Sequence, residues 1–366
     1  MGSAAACLAV AAIATGVVSA ATSATAVKQV VTGADHTCAL IAGGKVKCWG
    51  ANNFGQVGDG TDEDRSKPVA VKGLSGVKKL VAGQWTTCAW LAKSVKCWGN
   101  NTYGELADGT KTERRRPITV KALAGVKAIA PGFDHACGLW AGGTVKCWGS
   151  NASGQLGTGT DKDSLKPVPV SGLTGVTALA SGETHTCAIV ARGAVKCWGE
   201  HQSELIGDTP RTKVGISGAK QVVAGSTHTC VLVSGKVRCW GGQPYGQLGN
   251  GSTTSSNLPV AAAGLGKVRQ ITAGSAWTCA LLTNGKVMCW GNNRAGSVGD
   301  GSTTDRLKPV AVSGLAKVQS LDAGGAHSCA LLAGGKVRCW GGNRFTGALG
   351  DGTEENRLKP VAPKGL

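Results

Sequence analysis

The chain has 366 residues and carries 39 Lys and Arg against 21 Asp and Glu, a formal charge of +18 at pH 7. Hydrophobic residues make up 42% of it, enough for a core, yet no stretch is both apolar and long enough to require a membrane span in the mature protein. Its 58 glycines would indicate low complexity if they did not recur at fixed offsets beside turns, where they punctuate strands.

Residues 1–26 differ from everything that follows. They hold no charged side chain, are rich in Ala and Val, and close on Ala24-Thr25-Ala26, a small-x-small pattern that a signal peptidase accepts. A secretory signal is expected over 1–26 and one repeated module over 27–366, although the usual basic residue ahead of the apolar region is missing. Cys7 lacks the large apolar residue that precedes a lipidation site and is read as incidental.

From residue 27 onward the sequence repeats. Cys-Trp-Gly begins at Cys48, Cys97, Cys147, Cys197, Cys239, Cys289 and Cys339, mostly 49 or 50 residues apart, each with a second cysteine nine or ten residues upstream. In the first unit two short apolar runs flank Gly43-Gly44, a hairpin signal that sets Cys38 opposite Cys48. Directly opposed residues in such a ladder have Cα atoms ~4.5 to 5.5 Å apart, within or close to disulfide range. The same logic pairs Cys88 with Cys97, Cys137 with Cys147, Cys187 with Cys197, Cys230 with Cys239, Cys279 with Cys289 and Cys329 with Cys339. Zinc is the competing reading, because His36-Thr37-Cys38 offers two ligands on one strand. Against it, Cys-x2-Cys turns are absent, and the histidine recurs only at His36, His135, His185, His228 and His327, with Thr86 and Trp277 in the other units. Paired cysteines in every unit point to an oxidising compartment, so an extracellular or cell-envelope location is expected.

Each unit reads as four strands. Pro68–Val71 leads into Val77–Gly83, Thr87–Leu91 and Ser94–Trp98, and four short antiparallel strands make one propeller blade. The proline suits an edge strand. The mature chain would begin at Val27 without a Pro-Val strand before it, and the missing strand stands at the other end as Pro360-Val361-Ala362. An all-β, seven-bladed propeller is therefore predicted, its ring closed by N- and C-terminal segments sharing one blade.

These residues carry a family resemblance. Ala-Gly-x-x-His-Thr-Cys-Ala-Leu, Gly-Lys-Val-x-Cys-Trp-Gly, Asn-x-x-Gly-Gln-Leu-Gly, Asp-Gly-Thr and Pro-Val recur across 27–366 and resemble the regulator of chromosome condensation repeat. The resemblance implies a seven-bladed propeller. For function it implies a choice among nuclear guanine-nucleotide exchange factors, secreted bacterial proteins including a beta-lactamase inhibitor, and others. The exchange factor's inserted hairpin wedge has no room here: no interval exceeds 50 residues, and the one irregular interval, Cys197 to Cys239, is shortened to 42, with Ser203-Glu204-Leu205-Ile206-Gly207 replacing the usual segment.

An enzyme is not expected: Gly-x-Ser-x-Gly, phosphate-loop and His-Glu-x-x-His motifs are all absent. No cofactor or metal is expected either. The five recurring histidines are read as structural, and the run Asp59, Asp62, Glu63, Asp64 as a solvated turn without calcium-loop spacing.

Binding candidates lie where units depart from their own pattern. Trp85, Phe133 and Trp277 replace small or polar residues, or the histidine, in the Ala-Gly-x-x-His segment. Phe54, Tyr103, Tyr245 and Phe345 stand in the loop after Cys-Trp-Gly. All are candidate contacts for another protein on one rim, the function expected here, with a monomer as the expected state. All charged residues lie after residue 26, so the mature chain keeps its +18 and attracts acidic envelope polymers, the alternative reading. The charge is spread through the repeats at Lys47, Lys96, Lys146, Lys196, Arg238 and Arg338, with Arg114-Arg115-Arg116 as the tight run.

Overall fold

A computed structural model describes residues 26–201 and 204–366. The expected signal segment lies outside these residues, apart from Ala26. Short strands bounded by Gly-containing turns form seven four-stranded antiparallel sheets arranged as the blades of a propeller. Blade 1 sets the plan: β1 (Val27–Thr32) is innermost, β2 (His36–Ile41) and β3 (Lys45–Gly50) form the central hairpin, and β4 (Arg65–Ala70) is the outer edge. The innermost strands of all seven blades surround a central channel of about 460 Å³. No helix among the described residues is long and apolar enough to cross a membrane.

The closure of the ring differs from the expectation. Pro68 and Val69 belong to β4, which pairs with β3 through Cys48↔Val69 and Gly50↔Arg65, so the Pro-Val strand completes the sheet before it in sequence. Arg357–Val361 likewise completes blade 7 beside Lys336–Gly341. Every blade is thus contiguous, and no strand is shared between the chain ends. The ring closes by backbone and side-chain hydrogen bonds across blades 7 and 1, among them Gly325 N to Gly33 O at 3.0 Å. Asp322 accepts from Thr32 N at 2.7 Å, and Trp49 Nε1 donates to the Ala348 carbonyl at 2.8 Å. The reason is proximity along the chain: the loop 51–64 leads straight from β3 to β4, whereas a shared blade needs a pairing across the whole chain.

All seven cysteine pairs are disulfides, with opposed Cα atoms 4.0 to 4.1 Å apart. They lie in the central hairpins, inside the apolar layers between blades. The invariant tryptophan follows the same plan: Trp98 Nε1 donates to the Gln56 carbonyl of the preceding blade at 2.8 Å. Gly58 shows why glycine stands in that loop. Its φ is +77°, and a Cβ there would lie 2.6 Å from the Trp98 indole nitrogen. In the shortened interval of blade 4, strands Val195–His201 and Glu204–Thr212 run on as a ribbon in place of the usual loop.

Candidate partner-binding face

Alternating strand direction sends the connections of each blade to opposite rims. The turns between first and second strands, and the long loops between third and fourth, lie on the first rim. The hairpin turns such as Gly43-Gly44, and the crossings from blade to blade, lie on the second. All seven aromatic candidates therefore share the first rim or the strand ends beside it.

Just below that rim a belt of buried hydrogen bonds ties neighbouring blades. His36 Nε2 and Thr87 Oγ1 are 2.9 Å apart, as are His135 with Thr186 and His228 with Thr278. His185 lies 2.8 Å from Thr229 and His327 2.6 Å from Thr37. Burial holds His36 and His135 down to a pKa of about 3 and His327 to about 4, so these rings are neutral. The histidines are structural members of this belt. Trp277 takes a histidine's place, donating to Ser328 Oγ at 3.0 Å while only 3% exposed. This corrects its reading as a contact residue: a ring buried between blades offers a partner no surface.

The belt breaks at one junction. Blade 2 has Thr86 where the others have histidine or Trp277, and blade 3 has Ala136 where the others have a hydroxyl. The ring of backbone bonds along the rim breaks at the same place. Ala34 N donates to Gln84 O, Phe133 N to Gly182 O, and Glu183 N to Ser226 O, but none joins Gln84 to blade 3 among the described residues. Aromatic rings bridge this gap. Trp85 meets Phe133 edge-on, centroids 5.1 Å apart at 74°, and meets Phe54 of blade 1 at 5.4 Å and 47°. All three rings are half-buried, leaving an aromatic strip over blades 1 to 3.

Of the remaining candidates, Tyr103 is 38% exposed, Tyr245 lies under the Arg294 guanidinium at 5.1 Å, and Phe345 is 73% exposed with φ at +68°. The structure joins none of these three to the strip.

Carboxylates share this rim with the aromatic strip. Asp35, Asp134 and Glu183 stand in the same rim turns, and among the described residues none forms an ion pair. Burial and the neighbouring Asp64 raise the Asp35 carboxyl, and burial and Glu183 raise Asp134. Glu105, which accepts from Asn100 Nδ2 at 2.8 Å and Tyr103 N at 2.9 Å, is pushed by burial up to about 7. Phe133 and Glu183 also stand at the lip of a small axial cavity of about 110 Å³, walled by the glycines of the rim turns.

The acidic run of blade 1 has a local task. Asp59 binds Arg65 at 2.7 Å and Thr61 Oγ1 at 2.6 Å, bracing its own loop. Arg114 braces Asp108 in the same way at 2.7 Å, and Arg115 reaches Asp62 at 2.7 Å, so two of the three arginines of that basic run make loop contacts. No group of three metal-ligating side chains occurs among the described residues.

Models of the regulator of chromosome condensation (RCC1) repeat match residues 43–90, 142–189, 234–281 and 284–331, and a second model of that repeat matches six segments from 27–56 to 318–346. The chain belongs to the regulator of chromosome condensation repeat family. This RCC1-repeat protein is similar in fold to human WBSCR16, with a TM-score of 0.75, 24% identity, and 84% of this chain and 87% of that one covered. It is also similar to Prp20p of Saccharomyces cerevisiae, with a TM-score of 0.72, 23% identity, and coverage of 82% and 80%. That yeast protein was described with its binding to Gsp1p and histones. The mouse RCC1 domain-containing protein 1 is 41% identical over 61 residues, 16% of each chain, so this RCC1-repeat protein covers only that fraction of the mouse protein's length. At these identities the solved structures speak for the fold alone.

Two parts of the face escape sequence reading. Thr86 and Ala136 are each an ordinary substitution, and only their meeting across blades shows a missing bond. The carboxylates Glu105, Asp134 and Glu183 are scattered along the chain and come near one another only in the ring. A comparison of aligned repeats flags each position as a departure without showing that they face one another.

Proposed function

We propose that this protein is an exported, non-catalytic scaffold that holds another protein on its first rim, through the strip Phe54, Trp85 and Phe133. The observation that carries this reading is the convergence of departures from the repeat at one junction. Trp85, Thr86, Phe133 and Ala136 all change together where blade 2 meets blade 3. A repeat preserves what builds its blades. Here the ordinary hydrogen bond is given up, and half-buried aromatic surface, the usual material of protein contact centres, stands in its place. The unpaired carboxylates beside it favour a partner that brings lysine or arginine to the edge of the contact. A cross-strand disulfide in every blade supports an oxidising destination.

Likeness to Prp20p brings guanine-nucleotide exchange into view, but at 23% identity it argues for the fold, and no residue of the aromatic face points to that activity. The test of the scaffold reading is site-specific photocrosslinking of the full chain in its producing culture. A benzophenone residue at Phe133 should yield a discrete protein adduct, and the same residue at Leu258, on an exposed outer strand, should not. Equal labelling at both positions, or at neither, rejects the face.

A further inference from the structure

The opposite rim is chemically different from the one just described. Apart from Asp322, which faces the channel, and Asp208, inside the strand Glu204–Thr212, every Asp and Glu of the chain lies in a first-rim connection or the strand ends beside it. The second rim has no Asp or Glu side chain among the described residues. Its hairpin turns present Lys45, Lys93, Lys236, Lys286 and Lys336, all exposed, and the blade crossings add further lysines such as Lys72. A charge that looks evenly spread along the sequence is sorted in space, because each hairpin turn is sent to one rim and each long acidic loop to the other.

Apolar groups stand among these lysines. Val214, in a crossing loop, is 74% exposed. Trp140, beside the blade 3 turn, stays partly exposed with its Nε1 donating to Ala124 O at 3.0 Å and Lys146 above its ring at 5.4 Å. Leu74 is partly exposed in another crossing.

We propose that the second rim docks on an anionic lipid bilayer. Turns from every blade end on one face, so many ammonium groups reach one surface together, the arrangement that a sheet of anionic head groups complements. Trp140 and Val214 sit at the depth where amphipathic and apolar side chains enter a lipid interface. Docked this way, the protein turns its acidic first rim away from the bilayer. The aromatic strip is then free for a partner, although the docking stands independently of that reading.

The experiment is co-sedimentation of the full chain with vesicles of phosphatidylcholine alone and of phosphatidylcholine with about one-third phosphatidylglycerol, at low and high salt. Binding is expected only to the anionic vesicles, falling at least about tenfold as salt screens the contact. The triple variant Lys45→Glu, Lys236→Glu, Lys336→Glu should lose it, and all three side chains are exposed at the hairpin ends of their strands. A first-rim triple variant with the same change in net charge, Lys111→Glu, Arg294→Glu, Arg344→Glu, should keep most of it. Equal losses in the two triple variants would show that net charge alone is at work and overturn a docking face. Retention on heparin or polyphosphate beads without binding to anionic vesicles would overturn the bilayer in favour of a soluble polyanion. Absence of vesicle binding at low salt also overturns the proposal. None of these variants alters Phe54, Trp85 or Phe133, so failure here leaves the partner-binding face standing.

Discussion

Trp85 and Phe133 meet edge to face, 5.1 Å between centroids, across the blade junction where Thr86 and Ala136 leave the buried belt without its hydrogen bond. An aromatic pair of this geometry contributes about 0.5 to 1.5 kcal/mol beyond its buried area, comparable to the net worth of the hydrogen bond that is missing. At this seam a half-buried aromatic contact stands where the other junctions have a buried hydrogen bond of the belt.

Rebuilding the belt should therefore show coupling. Thr86→His places a ring over Gly83, as His36 lies over Gly33, and Ala136→Thr supplies its acceptor. Together they should stabilise the fold by roughly 1 kcal/mol more than the sum of the single changes, read as a double-mutant cycle in urea. Additive effects would mean that the two side chains do not meet.

Removal of the strip should separate binding from folding. Trp85→Ala is expected to weaken partner binding by more than about tenfold while costing on the order of 1 to 2 kcal/mol of stability, because the ring is only half-buried. Trp277→Ala should do the reverse. It empties a fully packed site and strands Ser328, costing about 3 kcal/mol or more, with little effect on binding measured below the melting transition.

The seam also uncovers a disulfide. In four other blades a threonine hydroxyl of the next blade sits 3.7 to 3.9 Å from the first cysteine sulfur, and Ala136 lacks that group. Cys88 is 7% exposed, while every other bridged cysteine is at 0 or 1%. With limiting reductant and a thiol label, Cys88 and Cys97 should react first, and Ala136→Thr should slow them. Earlier labelling of any other pair rejects this order.

Glu105 predicts a pH effect with a definite sign. Its folded pKa of about 7 stands above its ordinary 4.5, so the folded protein holds the extra proton and stability falls as pH rises from about 4.5 through 7. Glu105→Gln restores the residue found at Gln56, Gln155 and Gln247. It should remove that fall, a gain on the order of 2 kcal/mol at neutral pH, read from melting curves at pH 5 and 8. A variant that melts in parallel with the parent at both pH values would discount the buried carboxyl.

Three belt histidines, His36, His135 and His327, act in the other sense. Their folded pKa values of about 3 to 4 lie below 6.5, so the unfolded chain takes up protons first and stability drops as pH falls from about 6.5. Replacing His36, His135 and His327 together by Gln, which cannot titrate, should flatten the acid limb of a stability-pH curve. An unchanged limb would assign acid unfolding to other groups.

Much of this was legible in the residues themselves. The spacing of Cys-Trp-Gly determines the number of blades, and the hairpin between paired cysteines determines every disulfide, because both are local: a turn of two or three residues leaves Cys38 nowhere to go but opposite Cys48. The recurrence of the histidines in most units points to a task within each unit, and the structure gives all five of them a hydroxyl of the next blade as partner.

What only the tertiary structure decided are relations between residues about 50 positions apart. The side of the sheet that takes Pro68, the burial of Trp277 against Ser328, the meeting of Trp85 with Phe133, and the sorting of charge between rims all depend on how one blade is laid against the next. Sequence periodicity shows which positions are equivalent. Contact across a junction joins positions that are not equivalent, and strand direction sends neighbours in sequence to opposite faces of the ring.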